Sequence, residues 1–198
     1  MHYLCSMKTM IKNFCNKYKL PESTLHELLT HMEEVHFGKG ELVISEGERN
    51  SNFYLLKKGI WRAYYLTDGT ENSLWFAVPG DTAFSSWGYV DGEASLINIE
   101  SVNESLAYCI SKPELETLFS QSIIDMANFG RRIFEREILS VDSSTVAYGT
   151  PPTAKERYMM LLEENPELLQ DVPLKYVASY LYITPQSLSR IRAGLKKK

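Results

Sequence analysis

Residues 40–70 read GELVISEGERNSNFYLLKKGIWRAYYLTDGT, and this stretch indicates the fold. Short runs of aliphatic and aromatic residues alternate in it with segments rich in glycine, serine and asparagine; the runs are Leu42–Ile44, Phe53–Leu56 and Ile60–Leu66. Asp68-Gly69 favours a tight hairpin, because both residues readily adopt positive φ. Many short strands separated by such turns are typical of a β-sandwich, a barrel or a jelly roll.

The same texture continues to Ile110 and then changes. Eight of the eleven glycines lie between Gly38 and Gly92. Further strands are predicted at Leu74–Val78, Leu96–Val102 and Leu106–Ile110. Residues 1–36 are predicted to be helical, since Leu25, Leu28, Leu29 and Met32 form a stripe at helical spacing. A β-rich unit with helices on both sides in the sequence is therefore expected.

A long helix is predicted from about Ser122 to Tyr148, after a short helix that opens at Lys112-Pro113. Its apolar residues recur every three or four positions, and the predicted seam is Ile123, Ala127, Phe134, Ile138, Val141 and Tyr148. Such a seam favours packing against a partner helix, as in a homodimer. The alternative is that the stripe packs on its own β-domain. Residues 149–152, Gly-Thr-Pro-Pro, end the helix and predict a stiff hinge.

Two short helices with a tight turn follow the hinge. Thr153 and Glu156 have the Thr-x-x-Glu spacing of a capping box at the start of the preceding helix. The first helix of the pair spans residues 174–181, with the small Ala178 at its crossing point, and Tyr182-Ile183-Thr184 forms the turn. Thr184 caps the second helix, which begins at Pro185. This pattern predicts a helix-turn-helix.

The outward residues of the second helix are of the types that can contact base edges and phosphates from the major groove. The candidate DNA-binding residues are Thr184, Gln186, Ser187, Ser189, Arg190, Arg192, Lys196 and Lys197. Gln186, Ser187 and Arg190 lie in the half of the helix that enters the groove, whereas Arg192 and the lysines are better placed for phosphates. Tyr182 occupies a turn position that usually needs glycine, and positive φ there costs a tyrosine roughly 1 kcal/mol or more.

The charge distribution agrees with this assignment. The 198 residues carry a formal net charge of −4, with 44% hydrophobic residues, which is ordinary for a globular protein. From Thr150 onward the net charge is +3, whereas the rest of the chain carries −7. Such asymmetry indicates an acidic body with a polyanion-binding end. Double-stranded DNA is therefore the expected partner.

Composition also predicts where the protein resides. No apolar run is long enough for a membrane span, and no signal-peptide core follows Met1. The three cysteines, Cys5, Cys15 and Cys109, are an odd number without tight spacing, which indicates a reducing compartment. A cytoplasmic protein without a membrane partner is expected.

Taken in order, the motifs resemble the Crp–Fnr family of bacterial transcription regulators. Gly40–Glu48, Phe53–Gly59 and Pro79-Gly80-Asp81 look like its opening strands and ligand-cassette turn, and Pro152–Arg157 through Ser187–Arg190 is similar to the branch found in Bacteroidetes-type bacteria. The resemblance implies an α+β fold. Residues 1–118 would form a sensor domain with a cyclic-nucleotide-binding-like β-roll, residues 119–149 a long dimerisation helix, and residues 150–198 an all-α helix-turn-helix domain.

What the resemblance implies for function is a homodimer on a pseudo-palindromic operator, with a small-molecule effector and a contact to RNA polymerase as further partners. Family members that bind cyclic AMP hold it with a Glu and an Arg-Ser pair, but the matching positions here are Ser85, Ser95 and Leu96. No Arg or Lys occurs between Arg62 and Lys112. Because a buried phosphate needs a cationic partner, cyclic AMP is not expected to bind in the usual way, and no cofactor is predicted.

The predicted effector pocket is instead aromatic, with Phe84, Ser85, Trp87, Tyr89, Ser95 and Leu96 as its candidate residues. It would bind an apolar or aromatic ligand; alternatively, these aromatic side chains only pack in the core.

Three scattered cysteines do not suit the family's iron–sulfur sensors. All four histidines precede the roll, so no metal or catalytic site is predicted and a cupin-like enzyme is the weaker alternative. A sensor or interaction module that has lost DNA binding is the other alternative.

Overall fold

The computed structural model describes residues 2–121, 124–145, 153–164, 166 and 168–195. In these residues, two antiparallel sheets of four strands form a β-roll, and helices precede and follow it in the sequence. The helices are α1 (His2–Tyr18), α2 (Glu22–Thr30), α3 (Lys112–Gln121), α4 (Ile124–Thr145), α5 (Ala154–Glu164), α6 (Leu168–Asp171), α7 (Leu174–Tyr180) and α8 (Pro185–Leu195). The predicted α+β architecture is confirmed.

The strands of the roll pair in the orders β1-β8-β3-β6 and β2-β7-β4-β5. They are β1 (Glu33–Phe37), β2 (Leu42–Ile44), β3 (Phe53–Lys58), β4 (Trp61–Thr67), β5 (Thr70–Ala77), β6 (Thr82–Ala83), β7 (Asn98–Ser101) and β8 (Ser105–Ile110), with a short π-helix at Trp87–Asp91. The β4–β5 hairpin turns at Asp68 and Gly69, whose φ values are 50° and 74°, as the sequence predicts. β1, however, lies at the end of the region predicted to be helical.

The interior of the roll is packed with aromatic and aliphatic side chains. Trp61 is fully buried, and its indole N–H donates to Ser105 Oγ at 2.8 Å. The ring of Phe37 meets Trp61 edge-on at 5.3 Å. Gly59, in the turn before β4, has a φ of 95°, and a Cβ there would lie 2.5 Å from Ser105 Cβ. Glycine is therefore required where β3 turns into β4.

The long helix α4 has two different faces. Met126, Phe129 and Ile133 are buried against α1 and β3, and the ring of Phe129 lies 5.2 Å from that of Phe14. Through this face the helix packs on its own β-domain, as in the alternative to the dimer seam. A second stripe is exposed to solvent, and the exposed fractions are 78% for Ile124, 38% for Phe134 and 61% for Ile138.

Helices α5 to α8 form a compact unit, which we call the head. Its core contains Val177, Ala178, Leu181 and Leu188, each no more than 1% exposed. The predicted capping box is present, since the Thr153 N–H donates to Glu156 Oε2 at 2.7 Å and the Glu156 N–H donates to Thr153 Oγ1 at 3.2 Å. The hydrogen bond from the Thr153 backbone lowers the pKa of Glu156. The predicted hinge, residues 149–152, lies outside the described residues.

Candidate nucleic-acid interface and effector pocket

The turn between α7 and α8 forms a helix-turn-helix. The Ile183 N–H donates to Ala178 O at 3.0 Å, and the Tyr182 N–H donates to Ser179 O at 2.9 Å. This pair of hydrogen bonds is a Schellman motif, which requires a left-handed residue between the helices. That residue is Tyr182, with a φ of 55° and a 66% exposed side chain. The strain expected from the sequence is thus present in the turn.

Helix α8 presents the candidate reading residues to solvent. Gln186, Ser189 and Arg190 are exposed at i, i+3 and i+4 spacing, so they share one face of the helix. Leu188 lies on the opposite side and is fully buried. With the residues that the structure describes, the side chains of Gln186 and Arg190 form neither a hydrogen bond nor an ion pair. Both side chains are therefore free to contact an external ligand from one face.

The hydroxyl groups at this surface are partly engaged within the helix. The Ser187 N–H donates to Thr184 Oγ1 at 3.2 Å, which confirms the predicted cap, and the Thr184 hydroxyl donates to Ser187 Oγ at 3.1 Å. The Ser189 hydroxyl donates to Pro185 O at 2.9 Å. Arg192 is half-buried on the same helix. Lys196 and Lys197, predicted to bind phosphate, lie outside the described residues.

The apolar and aromatic candidate effector residues divide into two groups. Phe84 and Tyr89 are buried, and their rings lie 5.3 Å apart. Together with four further residues, which the sequence did not predict, they line a narrow crevice that has no room for a water molecule; those residues are Phe53, Phe119, Ile133 and Phe134. Trp87 and Leu96, by contrast, are exposed and do not line it. No local sequence pattern links β3, α3 and α4, so the sequence had no signal for this grouping.

Ser85 and Ser95 are both buried, and their hydroxyl groups have partners within the roll. Ser85 Oγ accepts the Gly88 N–H at 3.2 Å, whereas the Ser95 hydroxyl donates to Ile97 O at 2.8 Å. Lys112 lies beside the crevice, with its Nζ 3.1 Å from Val90 O and 5.3 Å from the centre of the Tyr89 ring. Burial, with the nearby Glu116 carboxylate, raises the pKa of Tyr89.

These residues do not fit a cyclic nucleotide held in the family's usual way. Ser85, Ser95 and Leu96 stand at the positions that match the family's Glu and Arg-Ser pair. Leu96 is apolar, and the hydroxyl groups of Ser85 and Ser95 already form hydrogen bonds within the roll. No cation occupies those positions to balance a buried phosphate.

Among the described residues, no cluster of His, Cys, Asp and Glu could hold a metal ion. None of the described helices combines the length and hydropathy needed to cross a membrane.

The predicted dimer seam lies only partly within the described residues. Ala127, Phe134 and Ile138 are exposed on α4, so they share the outer stripe with Ile124. Ile123 and Tyr148 lie outside the described residues, as does the side chain of Val141.

Comparison with known proteins places this fold. Residues 34–122 match the family described as the cyclic nucleotide-binding domain. FixK2 from Bradyrhizobium japonicum superposes with a TM-score of 0.70 at 21% identity, over 84% of this chain and 85% of that one. CLP from Xanthomonas campestris, described as a c-di-GMP responsive global regulator, gives 0.66 at 16% identity, over 89% and 92%. The catabolite activator protein of Thermus thermophilus gives 0.57 at 14% identity, over 90% and 84%.

No curated protein matches the sequence. At the identities of the solved structures, the likeness concerns the fold and not the ligand. It extends across both the roll and the head, because each structure covers more than four fifths of this chain. The resemblance predicted from the motifs is thereby confirmed, while its assignment to the Bacteroidetes-type branch stays a prediction. Residues 34–122 thus match the cyclic nucleotide-binding domain, and the chain shares the fold of FixK2, CLP and the catabolite activator protein.

Proposed function

We propose that this protein is a homodimeric, DNA-binding transcription regulator and not an enzyme. The observation that carries the proposal is the exposed face of α8, where Gln186 and Arg190 project without partners among the described residues. Gln and Arg are side chains that form paired hydrogen bonds with base edges in the major groove. The family fold supports the proposal, because it joins such a head to a sensor roll.

The exposed stripe on α4 supports the dimer. Ile124, Phe134 and Ile138 are large apolar side chains in solvent, although the opposite face of the same helix is well packed. Pairing two such stripes would remove this apolar surface from water. Two heads would then face two half-sites, which accounts for a pseudo-palindromic operator.

The sensor is proposed to respond to an apolar or aromatic effector, or to none, but not to cyclic AMP in the usual mode. The crevice lined by Phe84 and Tyr89 is aromatic, and a ligand could enter only if these rings moved apart. Calorimetry with cyclic AMP should therefore show no binding. Micromolar affinity would contradict the argument from Ser85, Ser95 and Leu96.

DNA binding is tested with duplexes selected from a random library by the wild-type chain. Arg190→Ala should cost about 1–3 kcal/mol on a selected duplex and relax its sequence preference. Lys197→Ala should weaken binding to all duplexes about equally, because a phosphate contact does not depend on sequence. Arg49→Ala removes an exposed cation from the roll and serves as the control.

Salt provides the second test. Affinity for the selected duplex should fall steeply as salt is added, because neutralised phosphates release counterions. If the wild-type chain binds no duplex at low salt, the regulator proposal fails in favour of a sensor module without DNA binding. If Arg190→Ala and Lys197→Ala act alike on all sequences, the roles assigned to these two residues are wrong.

A further inference from the structure

The turn of the helix-turn-helix carries a side chain that the fold does not use. Its Schellman hydrogen bonds require a left-handed residue at Tyr182, but they involve only backbone atoms. Arg157 Nη2 donates to the Leu181 carbonyl at 2.6 Å, so the head itself fixes the backbone just before this residue. A glycine would satisfy the same geometry without strain. The turn therefore explains the left-handed backbone and leaves the tyrosine side chain unexplained.

Positive φ at an aromatic residue is unusual in this chain. Among the described residues, three other than glycine have positive φ, and they are Lys19, Asp68 and Tyr182. Asp68 stands in the β4–β5 hairpin, where a short polar side chain tolerates the left-handed region. A bulky side chain in that region is an outlier, and strained residues of this kind cluster at functional sites. The strain at Tyr182 thus indicates that its side chain has a function.

The other tyrosines of the head all pack against protein. Tyr158 is buried in the core of the head. Tyr176 stacks on the guanidinium of Arg62 in strand β4, with 3.4 Å between Arg62 Cζ and the ring centre. The ring of Tyr180 meets that of Phe76 in strand β5 at 5.5 Å. Each of these three rings has a partner within the chain.

Apolar residues extend these contacts into a core shared by roll and head. Ile60 and Val102 of the roll are buried in the same cluster as Leu161 and Leu181 of the head. This side of the head is therefore closed to an external partner. Tyr182 and the exposed residues of α8 do not belong to the shared core.

Tyr182 has no partner of this kind. Its side chain is 66% exposed. With the part of the chain that the structure describes, its hydroxyl group forms no hydrogen bond and its ring forms no aromatic or cation–π contact. The side chain thus contributes strain to the free protein without a compensating contact there.

Tyr182 stands beside the proposed DNA-reading face. Residues Thr184–Gln186 are exposed directly after it, and Ile183 packs against the core of the head. Two residues of chain span at most about 7 Å, so Tyr182 lies next to the start of α8, the half of the helix that enters the groove. No acidic residue occurs after Asp171, so the C-terminal segment that contains this turn carries no negative side chain to repel a phosphate.

We propose that Tyr182 is a further DNA contact, in which its phenolic hydroxyl donates a hydrogen bond to a backbone phosphate at the edge of the major groove. Tyrosine hydroxyl groups are among the side-chain donors that bind phosphate oxygens. Such a contact carries no sequence information, so it positions the head on the duplex and leaves base selection to Gln186 and Arg190. The inference rests on the proposed function, since it adds a contact to the same DNA interface.

An uncharged donor has a signature that separates it from a lysine. Tyr182→Phe keeps the ring and the strain but removes the hydroxyl, and it should weaken binding about three- to tenfold on all duplexes alike. The slope of log affinity against log salt concentration should keep its wild-type value, because a hydroxyl group neutralises no phosphate charge. Lys197→Ala, in contrast, should reduce that slope by about one.

Two further variants separate a contact from a structural role. Tyr65→Phe removes the same hydroxyl from a tyrosine that packs against the interior of the roll, and it should bind DNA like wild type. Tyr182→Gly relieves the strain, yet it should bind as weakly as Tyr182→Phe. Tyr182→Phe should unfold at the wild-type urea concentration, because its hydroxyl has no partner in the described part of the free protein. A merely structural residue would not lose affinity while stability is kept.

Methylphosphonate substitution locates the phosphate. Each phosphate of the selected duplex is replaced in turn by a methylphosphonate, which lacks one acceptor oxygen and the charge. At one position in each half-site, the loss of affinity seen with wild-type protein should disappear in Tyr182→Phe, because both changes remove the same hydrogen bond.

Wild-type affinity in Tyr182→Phe, or an equal loss at every substituted phosphate in both proteins, would overturn the inference. If that happens while Arg190→Ala still relaxes the sequence preference, the phosphate contact fails and the proposed function stands. If the wild-type chain binds no duplex at all, the proposed function itself fails, and the contact fails with it.

Discussion

The strained turn at Tyr182 leads to a quantitative prediction about stability. The side chain is 66% exposed, so removing it loses little buried surface, but its φ of 55° places Cβ in the unfavourable left-handed region. Tyr182→Gly and Tyr182→Ala remove the same side chain, and they differ only in whether a Cβ remains. The difference between the two variants therefore isolates the cost of the left-handed conformation.

That difference can be estimated from two opposing effects. Removing Cβ relieves about 1–2 kcal/mol of strain. The greater freedom of glycine in the unfolded chain offsets about 0.4–1 kcal/mol of this. We expect the glycine variant to exceed the alanine variant by about 0.5–1 kcal/mol in the free energy of unfolding, or roughly 1–4 °C in Tm for a chain of this size.

Urea titration and thermal unfolding of the two variants measure this difference directly. The glycine variant should still bind the selected duplex, because the Schellman hydrogen bonds of the turn involve only backbone atoms. A glycine variant no more stable than the alanine variant would refute the left-handed turn, and with it the geometry assigned to the helix-turn-helix.

Glu156→Gln should lower the free energy of unfolding at pH values above the usual carboxyl pKa range. The difference from wild type should shrink as the pH falls through the lowered pKa of Glu156, because the protonated carboxyl no longer gains from the hydrogen bonds of the cap. Urea titrations across pH measure this, and a deficit independent of pH would contradict it. Ile138→Glu should convert dimer to monomer in sedimentation equilibrium, whereas Met160→Glu, at a similarly exposed apolar position in the head, should not. A dimer that tolerates both substitutions would exclude the α4 stripe as the dimer contact. Leu188→Ala should cost about 2–5 kcal/mol because the side chain is fully buried. Leu162→Ala, at a side chain that is 37% exposed, should cost only about 1 kcal/mol, and equal costs would contradict the packing of α8.

Local signals in the sequence predicted the roll and the helix-turn-helix well. Asp68-Gly69 specified its hairpin through φ preferences, and Thr153 and Thr184 specified helix starts through their side-chain oxygens. Strand β1 has no clear strand signal, because its residues are mostly exposed and charged and its partner β8 lies some seventy residues away in the chain. β-Propensity is weak where one face lies in water, so the preceding helical stripe seemed to continue.

The candidate sites show the same division. The exposed face of α8 follows from helical periodicity, which a sequence displays directly. The crevice between Phe84 and Phe134 and the stack of Tyr176 on Arg62 join segments far apart in the chain, and no periodicity connects them. The tyrosines of α7 lie on the helix face opposite to the one that packs in the core of the head, and helical periodicity alone predicts that this face is exposed to solvent. Their true partner is a sheet face, and only the tertiary structure reveals it.

The core shared by roll and head bears on how this protein can be divided or recombined. In a fragment that ends before the head, Ile60 and Phe76 would become exposed apolar surface. In a fragment that contains only the head, Tyr176 and Tyr180 would be exposed in the same way. Either fragment should therefore aggregate more readily than the full chain. A chimera that exchanges heads between two regulators of this fold would need to exchange strands β4 and β5 as well.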